Sequence, residues 1–210
     1  MSKKPSSGEP RLRVLIVGAS GTLGRAIAAE LAPRHEIVSA GRDSGDVRMD
    51  YADSNSLRRG LASVGRVDAI VCAAGGVHFG ALSEMTEELY AIGIRNKLMG
   101  QVNLALLGRE ILNDGGSITL SSGILTEHPI RQGSSATMVN GAIEGFVRAA
   151  AIELDRGLRI NAVSPNVVQE SMAAYAPYFR GFEAVSAARA ALGYSRSVEG
   201  AITGQVIKVY

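Results

Sequence analysis

Three glycines at three-residue spacing, Gly18, Gly21 and Gly24, carry the clearest chemical signal in this 210-residue sequence. They lie between an apolar, β-branched run at 11–17 and a helix-forming stretch at 25–32. Glycine permits a tight turn with close backbone approach, and the N-terminus of the following helix offers free N–H groups to phosphates. The pattern predicts a turn that binds the pyrophosphate of a dinucleotide, built from Gly18, Ser20, Gly21, Thr22, Leu23 and Gly24.

The end of the second predicted strand indicates which dinucleotide is bound. An acidic residue about 20 positions after the turn would accept hydrogen bonds from the ribose of NAD. Gly41 stands at that position instead, and Arg42 follows it. Arg42 can bind the 2′-phosphate of NADP through charge-assisted hydrogen bonds, and the Ser20 hydroxyl can add a donor. The sequence thus favours NADP (NADPH) over NAD; the alternative is that Arg42 is a solvated loop residue paired with Asp43.

Strands and helices alternate along the chain and place these residues at strand ends. The predicted strands span 11–17, 36–40, 46–50, 67–74, 115–121, 159–164 and 204–210, and the main helices span 25–32, 53–64, 86–112 and 136–154. The expected fold class is α/β: a single-domain Rossmann fold with a doubly wound, seven-stranded parallel sheet and helices on both faces. We expect a flexible tail at 1–10, one dinucleotide-binding domain at 11–210, and short helices covering the substrate near 171–192.

Composition and charge exclude several other classes of protein. The 22 basic and 20 acidic residues are too evenly balanced for nucleic-acid binding. No apolar run reaches the ~18 residues of a membrane helix. Cys72 is the only cysteine and the three histidines are far apart, so we predict neither a disulfide nor a metal site. A single thiol agrees with a cytoplasmic location, and the expected partner is a small-molecule substrate.

From residue 11 to residue 210 the chain resembles the short-chain dehydrogenase/reductase family. Residues 18–24 resemble its cofactor loop, with Thr22 in place of the middle glycine, and residues 159–165 resemble its Arg-x-Asn-x-x-x-Pro segment. Asn96 resembles the mid-helix asparagine of a water relay, and Ser122 the active-site serine at a strand end. The resemblance implies cofactor contacts, to adenine, ribose and nicotinamide, from Asp50, Tyr51, Ala73, Ala74, Gly75, Asn140, Pro165 and Val168.

The family's catalytic Tyr-x-x-x-Lys motif is altered in this sequence. Counted from Glu144-Gly-Phe146, the tyrosine position holds Ala136 and the lysine position holds Asn140. In the family the tyrosine donates the proton and the lysine lowers its pKa and holds the ribose. Asn140 can hydrogen-bond ribose hydroxyls, but neither residue can transfer a proton. The chain therefore resembles a divergent branch that keeps the cofactor loop and lacks the usual catalytic pair.

Three polar residues remain as candidates for catalysis: Ser122, Asn96 and Lys97. Ser122 can orient a carbonyl group or merely satisfy local backbone, and Asn96 is an unusual residue inside an apolar helix. Lys97 can reach cofactor or substrate if it turns into the cleft, although a surface lysine is the commoner outcome. Other groups near the expected substrate region are His128, Tyr175 and Tyr178; a loop histidine without a role and a packed aromatic lid are the alternatives.

The long helix after the fifth strand carries a row of small residues that permits close helix pairing. We expect a homodimer or homotetramer through such helices, although the same row can pack on the protein's own sheet. The row is Ala136, Gly141, Ala142, Gly145, Ala149 and Ala150. The sequence predicts an NADP(H)-dependent oxidoreductase of this family acting on an unidentified carbonyl or alcohol. The alternative is a non-catalytic NADP(H)-binding or redox-sensing protein on the same fold.

Overall fold

The computed structural model describes residues 10–210 and contains a seven-stranded parallel sheet in the order β3-β2-β1-β4-β5-β6-β7. The strands are β1 (Arg13–Val17), β2 (Glu36–Gly41), β3 (Val47–Arg48), β4 (Val67–Cys72), β5 (Leu112–Ser121), β6 (Arg159–Pro165) and β7 (Val206–Val209). This is the doubly wound α/β sheet predicted from the alternation of elements, so the fold class is confirmed. Apart from Pro10, the tail predicted at 1–10 lies outside the described residues.

Helices cover both faces of the sheet because successive side chains of a strand point to opposite sides. The helices are α1 (Thr22–Leu31), α2 (Ser54–Val64), α3 (Glu87–Gly93), α4 (Met99–Gly108), α5 (Ser134–Glu153), α6 (Met172–Tyr175) and α7 (Ala187–Glu199). In β1, Val14 and Ile16 pack with α1 and α7, whereas Leu15 and Val17 pack with α2, α4 and α5. Within residues 10–210, none of them is long and apolar enough to cross a membrane.

The helix predicted at 86–112 is interrupted and ends early. It consists of α3, a π-helical turn at Ile94–Leu98, and α4, which ends at Gly108. Leu112 already belongs to β5, where it pairs with Val67 of β4. The prediction of a helix up to Leu112 was wrong because tertiary strand pairing outweighs the local helical pattern of these apolar residues.

The segment that the sequence assigned to short helices, 171–192, contains only one short helix, α6. Its last part belongs to α7, which has 13 residues and packs beside α1. The Ser186 side chain begins α7 by accepting a hydrogen bond from the backbone N–H of Arg189 at 3.1 Å. Substrate covering therefore stays a prediction for this segment, in which residues 187–192 form the start of α7 and not a separate short helix.

Candidate dinucleotide and catalytic site

The glycine turn at residues 18–24, here called the phosphate turn, is held tightly against the end of β4. Gly18 has a φ of +85°, and a Cβ there would lie 2.9 Å from the Cβ of Ala74. A Cβ on Gly24 would collide with the carbonyl oxygen of Gly18. Helix α1 begins at Thr22 rather than at the predicted Arg25, so its first turn, with free N–H groups, belongs to the phosphate turn. The backbone is thus shaped as a phosphate cradle.

A cleft of about 260 Å³ opens beside the phosphate turn on the β2 side, and we call it the adenosine-side cleft. Arg42 lines it and donates from Nε to Asp43 at 3.0 Å, with 74% and 80% of the two side chains exposed. Arg42 is therefore paired with Asp43, as expected if it were only a solvated loop residue. Asp43 engages only one of the five N–H groups of the guanidinium, so Arg42 keeps donors for an anion. Other residues of this lining are Ser20, Asp50, Tyr51, Ala74 and Asn96.

Asn96 ties the two sides of the site together through its side-chain oxygen. Asn96 Oδ1 accepts hydrogen bonds from the Tyr51 hydroxyl at 3.0 Å and from the Gly76 backbone N–H at 2.8 Å. The buried Tyr51 ring lies so close to Gly100 of α4 that a Cβ there would collide with it. Burial raises the pKa of Tyr51, which keeps this phenol a neutral donor. The Asn96 side chain thus fixes the segment after β3 and the segment after β4 to the π turn.

The π turn sends two consecutive residues into two different cavities. Asn96 lines the adenosine-side cleft, while Lys97 lines a second cavity of about 260 Å³ on the β5 side, here called the Lys97 cavity. A π turn contains one residue more per turn than an α turn, and such turns are frequent at functional sites. The local irregularity of the helix therefore places both polar groups at the site.

Lys97 turns into its cavity and not toward bulk solvent. Its Nζ donates to Asn140 Oδ1 at 2.6 Å and to the backbone oxygen of Ser122 at 3.0 Å. Desolvation lowers the pKa of Lys97 from its ordinary value of 10.5 to about 8, an effect that the nearby Cys72 partly opposes. Gly75 makes room for the lysine, because a Cβ there would lie 2.6 Å from Lys97 Cγ. Gly75, expected to contact cofactor, thus also supports the lysine.

Most of the Lys97 cavity is apolar, with walls from Val77, Phe79, Ile124, Leu125, Val167 and Phe179. Among the described residues that line it, Lys97 is the only charged side chain, and Ser122 and Asn140 are neutral polar groups. The Ser122 hydroxyl lies 3.4 Å from the backbone oxygen of Val163, a long contact that leaves it able to turn toward a ligand. Pro165 and Val168 line the rim. The cavity suits a compact, largely apolar ligand.

Gln101, which sequence reasoning missed, anchors the end of β5. Its fully buried side chain donates from Nε2 to the Ser121 backbone oxygen at 2.9 Å and accepts from the Ser121 N–H at 2.7 Å. The paired contact fixes the strand end that carries Ser122 to the helix that follows Lys97. The available signal was spacing, because Gln101 lies four residues after Lys97 and four-residue spacing puts two side chains on one helix face.

The structure also places the remaining candidates. Tyr175 lines the Lys97 cavity, whereas Tyr178 lies outside it and stacks near Phe79 at 5.7 Å between ring centroids. His128 is exposed and packs edge-on against Tyr210, away from that cavity. In the row of small residues, Ala136 follows the alternative of packing inside the protein, because it is buried and lines the Lys97 cavity. Its spacing of four from Asn140 puts it on the sheet-facing side of α5 and not on the outward side.

A phosphate cradle at the carboxyl end of β1, flanked by two cavities at the edge of a doubly wound sheet, defines a dinucleotide-binding oxidoreductase of the Rossmann type. The chain belongs to the short-chain dehydrogenase/reductase family. Residues 13–203 match the family model described as Enoyl-(Acyl carrier protein) reductase. The family assignment agrees with the resemblance carried by the cofactor loop and the 159–165 segment.

Three similar proteins illustrate the range of the family. The solved structure of the protein lin1944 from Listeria innocua is 49% identical, with a TM-score of 0.93 over 95% of this chain and 100% of that one. Versicolorin reductase stcU of Emericella nidulans is 27% identical over 188 residues, which cover 75% of this chain and 69% of the relative. A small-chain dehydrogenase solved with NADPH shares the fold, with 24% identity and a TM-score of 0.84 over 95% and 97% of the two chains.

Proposed function

We propose that this protein is an NADP(H)-dependent oxidoreductase that interconverts a compact, uncharged carbonyl compound and its alcohol. The observation that carries the proposal is the arrangement of three features at one sheet edge. The phosphate turn leads on one side to the adenosine-side cleft and on the other to the Lys97 cavity, and the π turn lines both. A dinucleotide has the same three parts in the same order: adenosine, pyrophosphate and nicotinamide.

The residues present fit NADP(H). The turn at Gly18 and Gly24 can fold this tightly only because both lack a Cβ, and Arg42 keeps unpaired donors at the position suited to a 2′-phosphate. The neighbouring family structure that was solved with NADPH supports the same choice. The residues that would hold the cofactor are Gly18, Ser20, Gly21, Thr22, Leu23, Gly24, Arg42, Asp50, Tyr51, Ala73, Ala74, Gly75, Asn140, Pro165 and Val168. When bound, the reduced nicotinamide supplies a hydride to the substrate carbon.

Cofactor choice is tested by titrating NADPH and NADH against wild type and Arg42→Ala, followed by nicotinamide fluorescence. Hydrogen bonds between charged groups contribute about 1.5–3 kcal/mol, so Arg42→Ala should weaken NADPH binding about 10- to 100-fold. NADH affinity should change less than about threefold, since NADH lacks the 2′-phosphate. Arg48→Ala, an exposed arginine on β3 outside the cleft, is the matched control. Equal affinity of the wild type for both cofactors would overturn the NADP assignment.

The carbonyl substrate class is tested by following NADPH absorbance with a panel of carbonyl compounds. The Lys97 cavity of about 260 Å³ is slightly smaller than the ~300–1,000 Å³ usual for ligand pockets, so compact ketones and aldehydes should react best. Matched compounds that carry an ammonium group should be poor substrates, because the cavity already contains the Lys97 charge. Equal rates for neutral and cationic members of such a pair would contradict the proposed substrate class.

A non-catalytic NADP(H)-binding role is the second candidate, and Ala136 favours it. The Ala136 methyl group lines the cavity where the family resemblance expects a proton-donating tyrosine. This candidate predicts tight NADPH binding without turnover of any carbonyl compound, together with a thermal stability or assembly state that depends on NADPH. Turnover of a carbonyl compound by the wild type would reject the non-catalytic role. Thermal stability and assembly that do not change when NADPH is added would also reject it.

The outward face of α5 supports self-association. Ala142, Gly145 and Ala149 are exposed there together with Met138 and Ile152, and a Cβ on Gly145 would meet nothing within 4 Å. We therefore propose a homodimer or homotetramer paired through this helix. Light scattering after size exclusion should show a smaller assembly for Gly145→Arg than for the control Ala62→Arg on α2. A wild type that runs as a monomer would refute the pairing.

The cytoplasmic location remains a prediction.

A further inference from the structure

Reduction of a carbonyl needs a proton as well as a hydride, and the Lys97 cavity offers few groups that can supply one. Its polar side chains are Ser122, Asn140, Asn166, Ser171, Lys97 and Tyr175. A serine hydroxyl and a carboxamide do not release protons near neutral pH. The choice is therefore between the phenol of Tyr175 and the ammonium of Lys97.

The surroundings of the two groups differ. Tyr175 lies on the short helix α6, with ring centroids 6.0 Å from Phe79 and 6.2 Å from Phe179, and these ring contacts are what orient it. Lys97 is fixed by hydrogen bonds of 2.6 and 3.0 Å from Nζ, which use two of its three N–H groups. Within residues 10–210 no protein acceptor lies within hydrogen-bond distance of the third N–H, and Lys97 takes part in no ion pair. A half-buried ammonium with one unused donor is thus exposed to the ligand space.

We propose, building on the function above, that Lys97 is the catalytic proton donor of this site and that Asn140 is the residue that positions it. As hydride adds to the carbonyl carbon, the π electron pair of the C=O bond moves to oxygen and forms an O–H bond with a proton from Lys97. The N–H bond that breaks leaves its electron pair on nitrogen, so Lys97 becomes a neutral amine. Solvent returns the proton after the alcohol leaves, and alcohol oxidation runs through the same atoms in reverse.

The acidity of Lys97 suits this role. Burial lowers its pKa to about 8, so near pH 7 the group is mostly protonated yet gives up its proton far more readily than an ordinary lysine. The titratable groups near Lys97 are uncharged near pH 7 and so do not raise its pKa back to the ordinary value. Burial raises the pKa of Cys72 to about 12 and also raises that of Tyr51. Tyr175 lines the same cavity, and the only polar side chain that α5 contributes to its lining is the neutral Asn140.

The first test measures the pKa of Lys97 directly. The chain contains four lysines, Lys3, Lys4, Lys97 and Lys208, so ¹³C-labelled lysine gives four side-chain signals to follow against pH by NMR. One signal should titrate near pH 8 and disappear in Lys97→Arg, while Lys208→Arg removes a different signal. Asn140→Asp should raise the midpoint of the Lys97 signal, because a carboxylate stabilises the ammonium. A Lys97 midpoint near the ordinary ~10.4 would overturn the proposal.

The second test separates proton transfer from cofactor binding. Lys97→Met should lower kcat for carbonyl reduction about 10²- to 10⁴-fold, with NADPH affinity within about threefold of wild type. In wild type kcat for reduction should fall above pH 8, and Asn140→Asp should move that fall to higher pH. Lys208→Met, a surface change, is the control. Reduction that survives Lys97→Met, or an equal loss in Tyr175→Phe, would overturn the assignment of Lys97.

Failure of the proposed oxidoreductase function would give other results than failure of the roles assigned to Lys97 and Asn140. A wild type that binds NADPH but reduces no carbonyl compound at any pH would reject the oxidoreductase proposal and with it the catalytic role of Lys97. Turnover with an unchanged pH profile in Asn140→Asp would instead leave the oxidoreductase intact and reject only the positioning role. The NMR midpoint is measured without substrate, so it supports or overturns the acidity of Lys97 in either case.

Discussion

Replacing Lys97 by methionine should make the protein more stable at neutral pH while it removes activity. Burial holds the folded-state pKa of Lys97 at about 8, below its ordinary value of 10.5, so the unfolded chain binds more protons between these two pH values. The stability of the wild type therefore rises with pH from 8 to 10.5. Below pH 8 the folded state carries the full cost of the buried charge, and Lys97→Met removes that cost.

The size of the effect follows from the two pKa values and the lost hydrogen bonds. The difference between 10.5 and about 8 corresponds to about 3 kcal/mol of unfavourable free energy at pH 7. The contacts of Nζ with Asn140 and Ser122 are lost in the variant, which offsets about 1–2 kcal/mol of this. Lys97→Met should be more stable by about 1–2 kcal/mol at pH 7, a Tm rise of about 2–8 °C for a chain of this size.

The assay is urea unfolding of wild type and Lys97→Met from pH 7 to pH 10.5. The advantage of the variant should shrink above pH 8 and turn into a small deficit near pH 10.5, where the wild-type amine is neutral in the folded state and about half neutral in the unfolded chain. Lys208→Met is the control with the opposite sign, because its bond to Glu127 raises the pKa of Lys208 and adds stability that is present below pH 10.5. If the difference in the free energy of unfolding between Lys97→Met and wild type does not change with pH, the reasoning is refuted.

Two further substitutions test the supports of the site. Gly75→Ala should displace Lys97, since its Cβ would lie 2.6 Å from Lys97 Cγ, and we expect kcat to fall about 100-fold. Gly76→Ala, whose Cβ would lie 3.5 Å from its nearest neighbour, should change kcat less than about threefold, and similar kinetics for both would contradict this. Gln101→Leu should lower the free energy of unfolding by about 2–4 kcal/mol, because it leaves two buried backbone groups unpaired. In urea unfolding, the exposed Gln205→Leu should cost less than about 1 kcal/mol; equal losses would show that Gln101 has no special role.

The sheet and the phosphate turn could be predicted because both follow from local patterns. A glycine turn directly after a β-branched run depends on only a few neighbouring residues, and parallel pairing follows from the alternation of elements. Arg42 and Asp50 then fall at strand ends, where the order of strands brings them to the same edge. The adenosine-side cleft contains both, as the sequence suggested.

The position of Lys97 could not be predicted because it depends on an irregular helical turn. The direction of each side chain was inferred from a regular helix, in which successive residues are about 100° apart. The π turn contains one additional residue and changes these directions, and nothing in the local sequence indicates that it is there. The full length of α7 was not predicted either. Its contact with α1 includes Ala191, Tyr194 and Val198, and the last two lie beyond the short helices predicted near 171–192. Gln101 was missed because its partners are backbone atoms of a distant strand.

The π turn at Ile94–Leu98 has a genetic consequence. It holds one residue more than an α turn, so a single codon inserted into or deleted from this segment converts one form into the other. Such a change rotates the helix on one side by about 100° and advances it by about 1.5 Å. A lineage can therefore exchange the side chain that faces the Lys97 cavity in one mutational step. The strands and the cofactor loop need not change when it does.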